Sequence, residues 1–321
     1  MGVLDGRTAA VTGAGRGIGR AVAIALAAAG ARVVVNDPGV AVDGSGFDEA
    51  PADEVVSSIR SAGGEAVSSF DSVATMAGGE AIVRAALDAY GRLDILVNVA
   101  GILRDRMIFN MSEEEWDAVI AVHLKGHFST IRAASPLLRQ QGYGRIVNFA
   151  SMAGLRGTSG QANYAAAKAG ITGLTRVVAR DLGRYGVTCN CIAPAALTRM
   201  VAQVPRQALE KRSQAGIAAP RRVDAAQIAE RTPEHIAPMV VSLCSEEAWN
   251  VNGNTFFVSG GEVSVLHEPM PWRTIVKKGI WDVQELARYV PEQLLRDVRN
   301  PAPPAEESRP AAKQPAPEPA A

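Results

Sequence analysis

The stretch "NYAAAKAG" (163–170) places Tyr164 four residues before Lys168. On a helix, that spacing sets a phenol and an ammonium side by side on one face. A phenol near pKa 10 is a poor base at neutral pH unless its anion is stabilised, and a neighbouring cation does this. The chemistry on offer is general acid–base work. Taken alone, such a pair is usually a solvated helix face, so its meaning depends on what else the chain supplies.

A second constellation lies near the start. "VTGAGRGIGRAVAIAL" sets Gly13, Gly17 and Gly19, with Arg16 and Ile18 among them, between a β-branched run and an apolar helix. Glycines there allow a tight turn and let backbone N–H groups approach a pyrophosphate at the helix N-terminus. The next β-branched run ends in "VVVND", which puts Asp37 18 residues beyond Gly19. A carboxylate at that place accepts hydrogen bonds from adenosine ribose hydroxyls and repels a 2′-phosphate. Alone, Asp37 could simply open the turn "DPG". With the glycine turn, it favours NAD over NADP, although Arg16 could also contact a phosphate.

These groups need a scaffold. Strands are expected at 8–12, 32–36, 65–70, 93–98, 144–150, 186–193 and 254–260, each an apolar run bounded by turn residues. Helical stretches alternate with them, including a long one around 113–139 and "PEHIAPMVVSLCS" (233–245). The alternation predicts βαβ units: a doubly wound parallel sheet with helices on both faces, the single-domain α/β Rossmann fold, over residues 1–265. Residues 195–231 lack a strand and suit a lid over the substrate. Residues 266–300 form an extension, with apolar residues at helical spacing in "WDVQELARYVPEQLLRDV" (281–298). The tail 301–321, with seven prolines and seven alanines, cannot bury a core and is expected to be disordered.

Bulk properties narrow the function classes. Lys+Arg and Asp+Glu both total 33, so no global charge points to nucleic acid or a membrane surface. Cys189, Cys191 and Cys244 make neither a CxxC pair nor an even framework, and read as reduced thiols of a cytoplasmic protein. No metal site is expected.

Together these residues resemble the classical short-chain dehydrogenases/reductases. The turn Thr12-Gly13-x-x-x-Gly17-x-Gly19, "NVAG" (98–101), Ser151 after the fifth strand and Tyr164-x-x-x-Lys168 match that family's motifs in order and spacing over residues 1–260. "VVVNDPG", "AGILRDR", "VHLKGHF", "GQANYAAAKAG" and "CNCIAP" are most similar to the 3-hydroxyacyl-CoA dehydrogenase domain of the peroxisomal multifunctional enzymes, some of which also act on hydroxysteroids.

The resemblance implies roles. Tyr164 takes the alcohol proton, Lys168 lowers the phenol pKa and holds the nicotinamide ribose, and Ser151 donates a hydrogen bond to the substrate oxygen. Asn98, Ala100 and Gly101 border the cofactor ribose. Asp71 and Ser72 lie where the family bonds the adenine, and Pro194 and Thr198 where it meets the nicotinamide carboxamide. Homodimers or homotetramers, paired through the long fifth and sixth helices, are the family's usual state. Two departures stand out: His123 where most members carry Asn, and Ala195 where Gly is common. The family role at 123 is a main-chain one, so His123 reads as a buried, hydrogen-bonded histidine and not as an acid or base.

Six basic side chains in 199–222 (Arg199, Arg206, Lys211, Arg212, Arg221, Arg222) against Glu210 suit the phosphates of coenzyme A. Three functions stay open: an NAD-dependent 3-hydroxyacyl-CoA dehydrogenase, an NADPH-dependent 3-oxoacyl reductase, and a catalytically silent nucleotide-binding scaffold.

Overall fold

A computed structural model of the 321-residue chain describes residues 2–196, 231–267, 269–298 and 301. Thr198, nearly all of the segment expected as a lid, its six basic residues, and the tail beyond Pro301 lie outside the described residues.

Eight strands form one sheet in the order β3-β2-β1-β4-β5-β6-β7-β8. They are β1 (Thr8–Thr12), β2 (Arg32–Asn36), β3 (Ala66–Ser69), β4 (Ile95–Asn98), β5 (Gly144–Phe149), β6 (Val187–Pro194), β7 (Thr255–Ser259) and β8 (Glu262–Leu266). The first seven pair in parallel. Their apolar residues alternate between two cores, as burial on both faces requires. Ala9, Val11, Val33, Val35, Ile95 and Val97 face one layer, where α1 (Gly17–Ala28), α2 (Ala50–Ser61) and α8 (Ala237–Cys244) pack. Ala10, Val34 and Leu96 face the other, against α3 (Met76–Tyr90), α5 (Gly126–Gln141) and α7 (Ala162–Leu182). Strand order reverses between β1 and β4, so the crevice for a ligand opens at their carboxyl ends.

Three features differ from the sequence-based expectation. β8 runs antiparallel to β7 through the two-residue turn Gly260-Gly261, pairing Ser259 with Glu262. A Gly-Gly pair before the alternating "EVSVL" is a hairpin signal, so the sheet is not wholly parallel. The long helix expected around 113–139 is α4 (Glu113–Ile120), a π-turn at Ala121–Lys125, and α5. In the extension, α9 spans only Val283–Tyr289 and passes into a π-turn at Val290–Leu294; Pro291, with no N–H to give, interrupts the ladder there.

Candidate active site

The glycine turn follows directly from β1. Gly13 and Gly17 have φ of +64° and +55°, the left-handed region that disfavours side chains. A Cβ on Gly19 would lie 2.0 Å from the Gly13 carbonyl oxygen, so only glycine lets α1 start this close to the strand. No side chain caps that start, and Arg16 at the N-cap position makes no capping bond. The first-turn N–H groups of α1 therefore face a cavity of about 470 Å³, lined by Gly13, Arg16, Gly17, Ile18 and Gly19. Unpaired donors at a positive helix end suit a pyrophosphate. The volume falls in the range of small-ligand sites.

Asp37 lines the same cavity. Its carboxylate accepts from the N–H of Gly15 (2.8 Å) and of Gly39 (2.7 Å), tying the glycine turn to the loop after β2. The second bond is the local turn that the "DPG" sequence suggested. Arg16 is drawn away into that loop, towards the Gly39 carbonyl (3.5 Å) and Asp48 (3.7 Å). Residues 38–48 then cross the cavity mouth, lining it with Val40, Ala41, Val42 and Gly44. The loop is pinned on the far side, where Leu103 N–H donates to the Val42 carbonyl (2.8 Å) and Arg104 Nε to that of Asp43 (2.9 Å).

Ser72, Ala100, Gly101, Tyr164, Lys168 and Pro194 complete the lining among the predicted residues. Asp71 does not line it; its exposed carboxylate lies 3.4 Å from the Ser69 hydroxyl. Asn98 is fully engaged within the protein, giving to Asn148 Oδ1 (3.0 Å) and accepting from the Thr130 hydroxyl (2.8 Å). It steadies the end of β4 from behind the cavity wall.

Tyr164 and Lys168 sit on α7, and Ser151 caps the short α6 (Met152–Arg156), accepting from Ala153 N–H at 3.1 Å. Burial pushes the Tyr164 phenol above its ordinary pKa, while a hydrogen bond from Ser151 pulls it back. The expected depression of the phenol by Lys168 is not what this geometry gives. The ammonium donates to the Phe149 carbonyl (2.6 Å) and stands 5.6 Å from the centre of the Tyr164 ring. Burial lowers Lys168 itself to about 8. It therefore remains mostly charged at neutral pH.

Sequence reasoning missed several supports of this centre. Asn163, wholly buried, donates to the carbonyls of Arg104 (3.0 Å) and Glu115 (2.9 Å) while its Oδ1 accepts from Tyr164 N–H (2.7 Å). It fixes where α7 begins, and hence where Tyr164 points. His123, the buried, hydrogen-bonded histidine expected from the sequence, lies in the π-turn and stands edge-on to the Tyr164 ring at 5.1 Å and 88°. Its Nε2 meets both the N–H (3.1 Å) and the carbonyl (2.8 Å) of Ile102 and so has a partner in either tautomer, while the buried Nδ1 has none among the described residues. Gly101 permits this: a Cβ would lie 2.3 Å from the imidazole. His127, one turn on, is also buried. Among the described residues no helix is long and apolar enough to cross a membrane, and no three His, Cys, Asp or Glu side chains could hold a metal ion.

The model of the short chain dehydrogenases matches residues 7–209. The chain belongs to the short-chain dehydrogenase family. Members are oxidoreductases that act on CH–OH groups with NAD or NADP. The chain is 45% identical over 292 residues to the hydroxyacyl-CoA dehydrogenase ChsB1 of Mycobacterium tuberculosis, covering 88% of this chain and 87% of that one. It is 43% identical over 275 residues to the peroxisomal multifunctional enzyme type 2 of Mus musculus, covering 86% of this chain but only 34% of that larger protein. A crystal structure of a short chain dehydrogenase from Mycobacterium avium superposes with a TM-score of 0.78 at 46% identity, over 94% of this chain and 99% of that one.

Proposed function

We propose that the protein oxidises a 3-hydroxyacyl-CoA to the 3-oxoacyl-CoA with NAD. The reaction rests on one observation: Tyr164 and Lys168 line the same cavity as the glycine turn and Asp37, with Ser151 hydrogen-bonded to the phenol from outside the lining. A nucleotide would be held by the N–H groups of α1, by Asp37 at the ribose, and by Tyr164 and Lys168 at the far end. When bound, the nicotinamide supplies the hydride acceptor. Tyr164 takes the proton of the alcohol at its phenol oxygen as the C–H bond breaks. Ser151 donates to the same substrate oxygen and holds it in register. Lys168, anchored on the Phe149 carbonyl, would hold the nicotinamide ribose.

The acyl-CoA substrate is supported by the relatives' hydroxyacyl-CoA activity and by the excess of five positive charges in 199–222. Homodimers or homotetramers paired through α5 and α7 fit the exposure of Phe128 and Val177 on those helices. Turnover of 3-hydroxyacyl-CoA substrates of graded chain length and with steroid side chains, with NAD and NADP side by side, tests the reading. Absence of thioester oxidation with either nucleotide would remove it.

Cofactor choice has its own test. Arg16 and Asp37 both line the cavity and both bond to the loop after β2, but the carboxylate is also fixed to the glycine turn by the Gly15 N–H and is the group placed to set the ribose preference. Asp37→Ala is expected to weaken NAD binding roughly 10- to 100-fold, the worth of hydrogen bonds to a charged acceptor, and to narrow the gap to NADP. Equilibrium titration with both nucleotides reads this out. A wild-type protein that prefers NADP would favour the 3-oxoacyl reductase instead.

A further inference from the structure

His127 lies between the π-turn and the end of β5. Its Nδ1 is 2.7 Å from the main-chain carbonyl of His123. A carbonyl only accepts, so Nδ1 carries the proton and Nε2 is left to accept. Phe149 N–H donates to that Nε2 at 3.3 Å. The carbonyl of the same Phe149 is the group that binds the Lys168 ammonium at 2.6 Å. Three bonds thus run in series from helix to strand end to ammonium, every donor and acceptor in them buried.

We propose that His127 is a positioning residue for Lys168: by holding Phe149 from behind, it sets the carbonyl on which the ammonium is anchored beside Tyr164. This inference rests on the catalytic reading of Tyr164 and Lys168 given above, and it gives a role to the second histidine of "VHLKGHF". The chemistry demands a side chain that is donor at one end and acceptor at the other, about one ring width apart. Neutral imidazole satisfies this. Burial and the nearby Lys168 charge hold His127 near pKa 3, so it keeps that tautomer throughout the neutral range. Lys168 in turn is not perturbed by a second cation.

Two amides divide the ring's functions. In His127→Asn the amide sits at the Nδ1 position and keeps the His123 bond, but Phe149 N–H loses its acceptor. In His127→Gln the amide reaches the Nε2 position and keeps Phe149. The measurement is the pH dependence of Lys168 acylation by an amine-reactive reagent, followed by mass spectrometry on the nucleotide-free protein, alongside kcat and KM.

In His127→Asn the Lys168 titration should move down by roughly half a unit, because the carbonyl that favours the charged form is displaced. Its kcat should fall about tenfold with little change in KM, as for a misplaced catalytic group. His127→Gln should titrate as wild type and keep kcat within roughly threefold. A folded His127→Asn protein with wild-type Lys168 titration overturns the proposal. If the asparagine variant does not fold, His127→Gln decides: a shifted Lys168 titration in that variant refutes the role of Phe149. The titration needs no turnover, so it stands even if the protein proves not to be a dehydrogenase.

Discussion

Tyr164→Phe should yield a folded protein that still binds nucleotide yet turns over about a hundredfold or more slowly, the usual cost of a lost acid–base group. The substitution removes one oxygen. The ring keeps its edge-on contact with His123, and Asn163 still fixes the start of α7, since that bond is made to the main chain of residue 164. The loss therefore reports proton transfer and not packing. Burial raises the phenol pKa, so oxidation by the wild-type protein should accelerate as pH rises towards the phenol's titration. Lys168 loses its charge as pH climbs through about 8, which offsets the gain in phenolate, so the rise should level off beyond that point. Because the two groups are neighbours, the apparent pKa values of this profile belong to the pair. Near-normal turnover of Tyr164→Phe, measured with nucleotide binding by titration, would show that the proton goes elsewhere.

The second large effect is on stability. His127 is lowered to about 3 and His123 well below its ordinary value, in both cases chiefly by burial and next by the Lys168 charge. Protonated His127 would face the Asn98 carbonyl, a partial compensation only. The unfolded chain takes up these protons near pH 6.5, whereas the folded chain does not until far lower. Between those values the unfolded state binds more protons, so stability falls as pH falls. Well above pH 6.5 the full contribution of the two histidines is present. His127 alone contributes roughly 2 kcal/mol of this loss between pH 7 and pH 5, and His123 acts in the same direction. That is a large share of the ~5–15 kcal/mol typical of a folded domain. Denaturant midpoints measured across this range should show the decline, and His127→Gln should make it shallower, since one of the two titrations is gone. A flat profile from pH 7 to pH 5 would mean that these imidazoles are solvated or paired with acids in solution.

What the sequence by itself determined is what chain neighbours decide. The glycine turn, Asp37 at the next strand end and the Tyr164/Lys168 pair are each set by one turn of helix or one strand-to-helix step, so type and spacing sufficed. The parallel sheet was legible for the same reason, because strands buried on both faces must be apolar throughout. The β7–β8 hairpin carried a local Gly-Gly signal and could have been read.

Only the tertiary structure decided the rest. The loop 38–48 closes the cavity by bonding to Leu103 and Arg104, some sixty residues on. Lys168 is anchored on a strand 19 residues earlier, and Phe149 by a histidine 22 residues before it. The π-turn that sets His123 against Tyr164 leaves the apolar periodicity of 113–139 almost unchanged, so the sequence reads as one helix there. Hydrogen bonds between distant residues depend on which strand ends the fold brings together. No periodicity records that, because the free energy of such a bond resides in burial and direction, and both are properties of the assembled sheet.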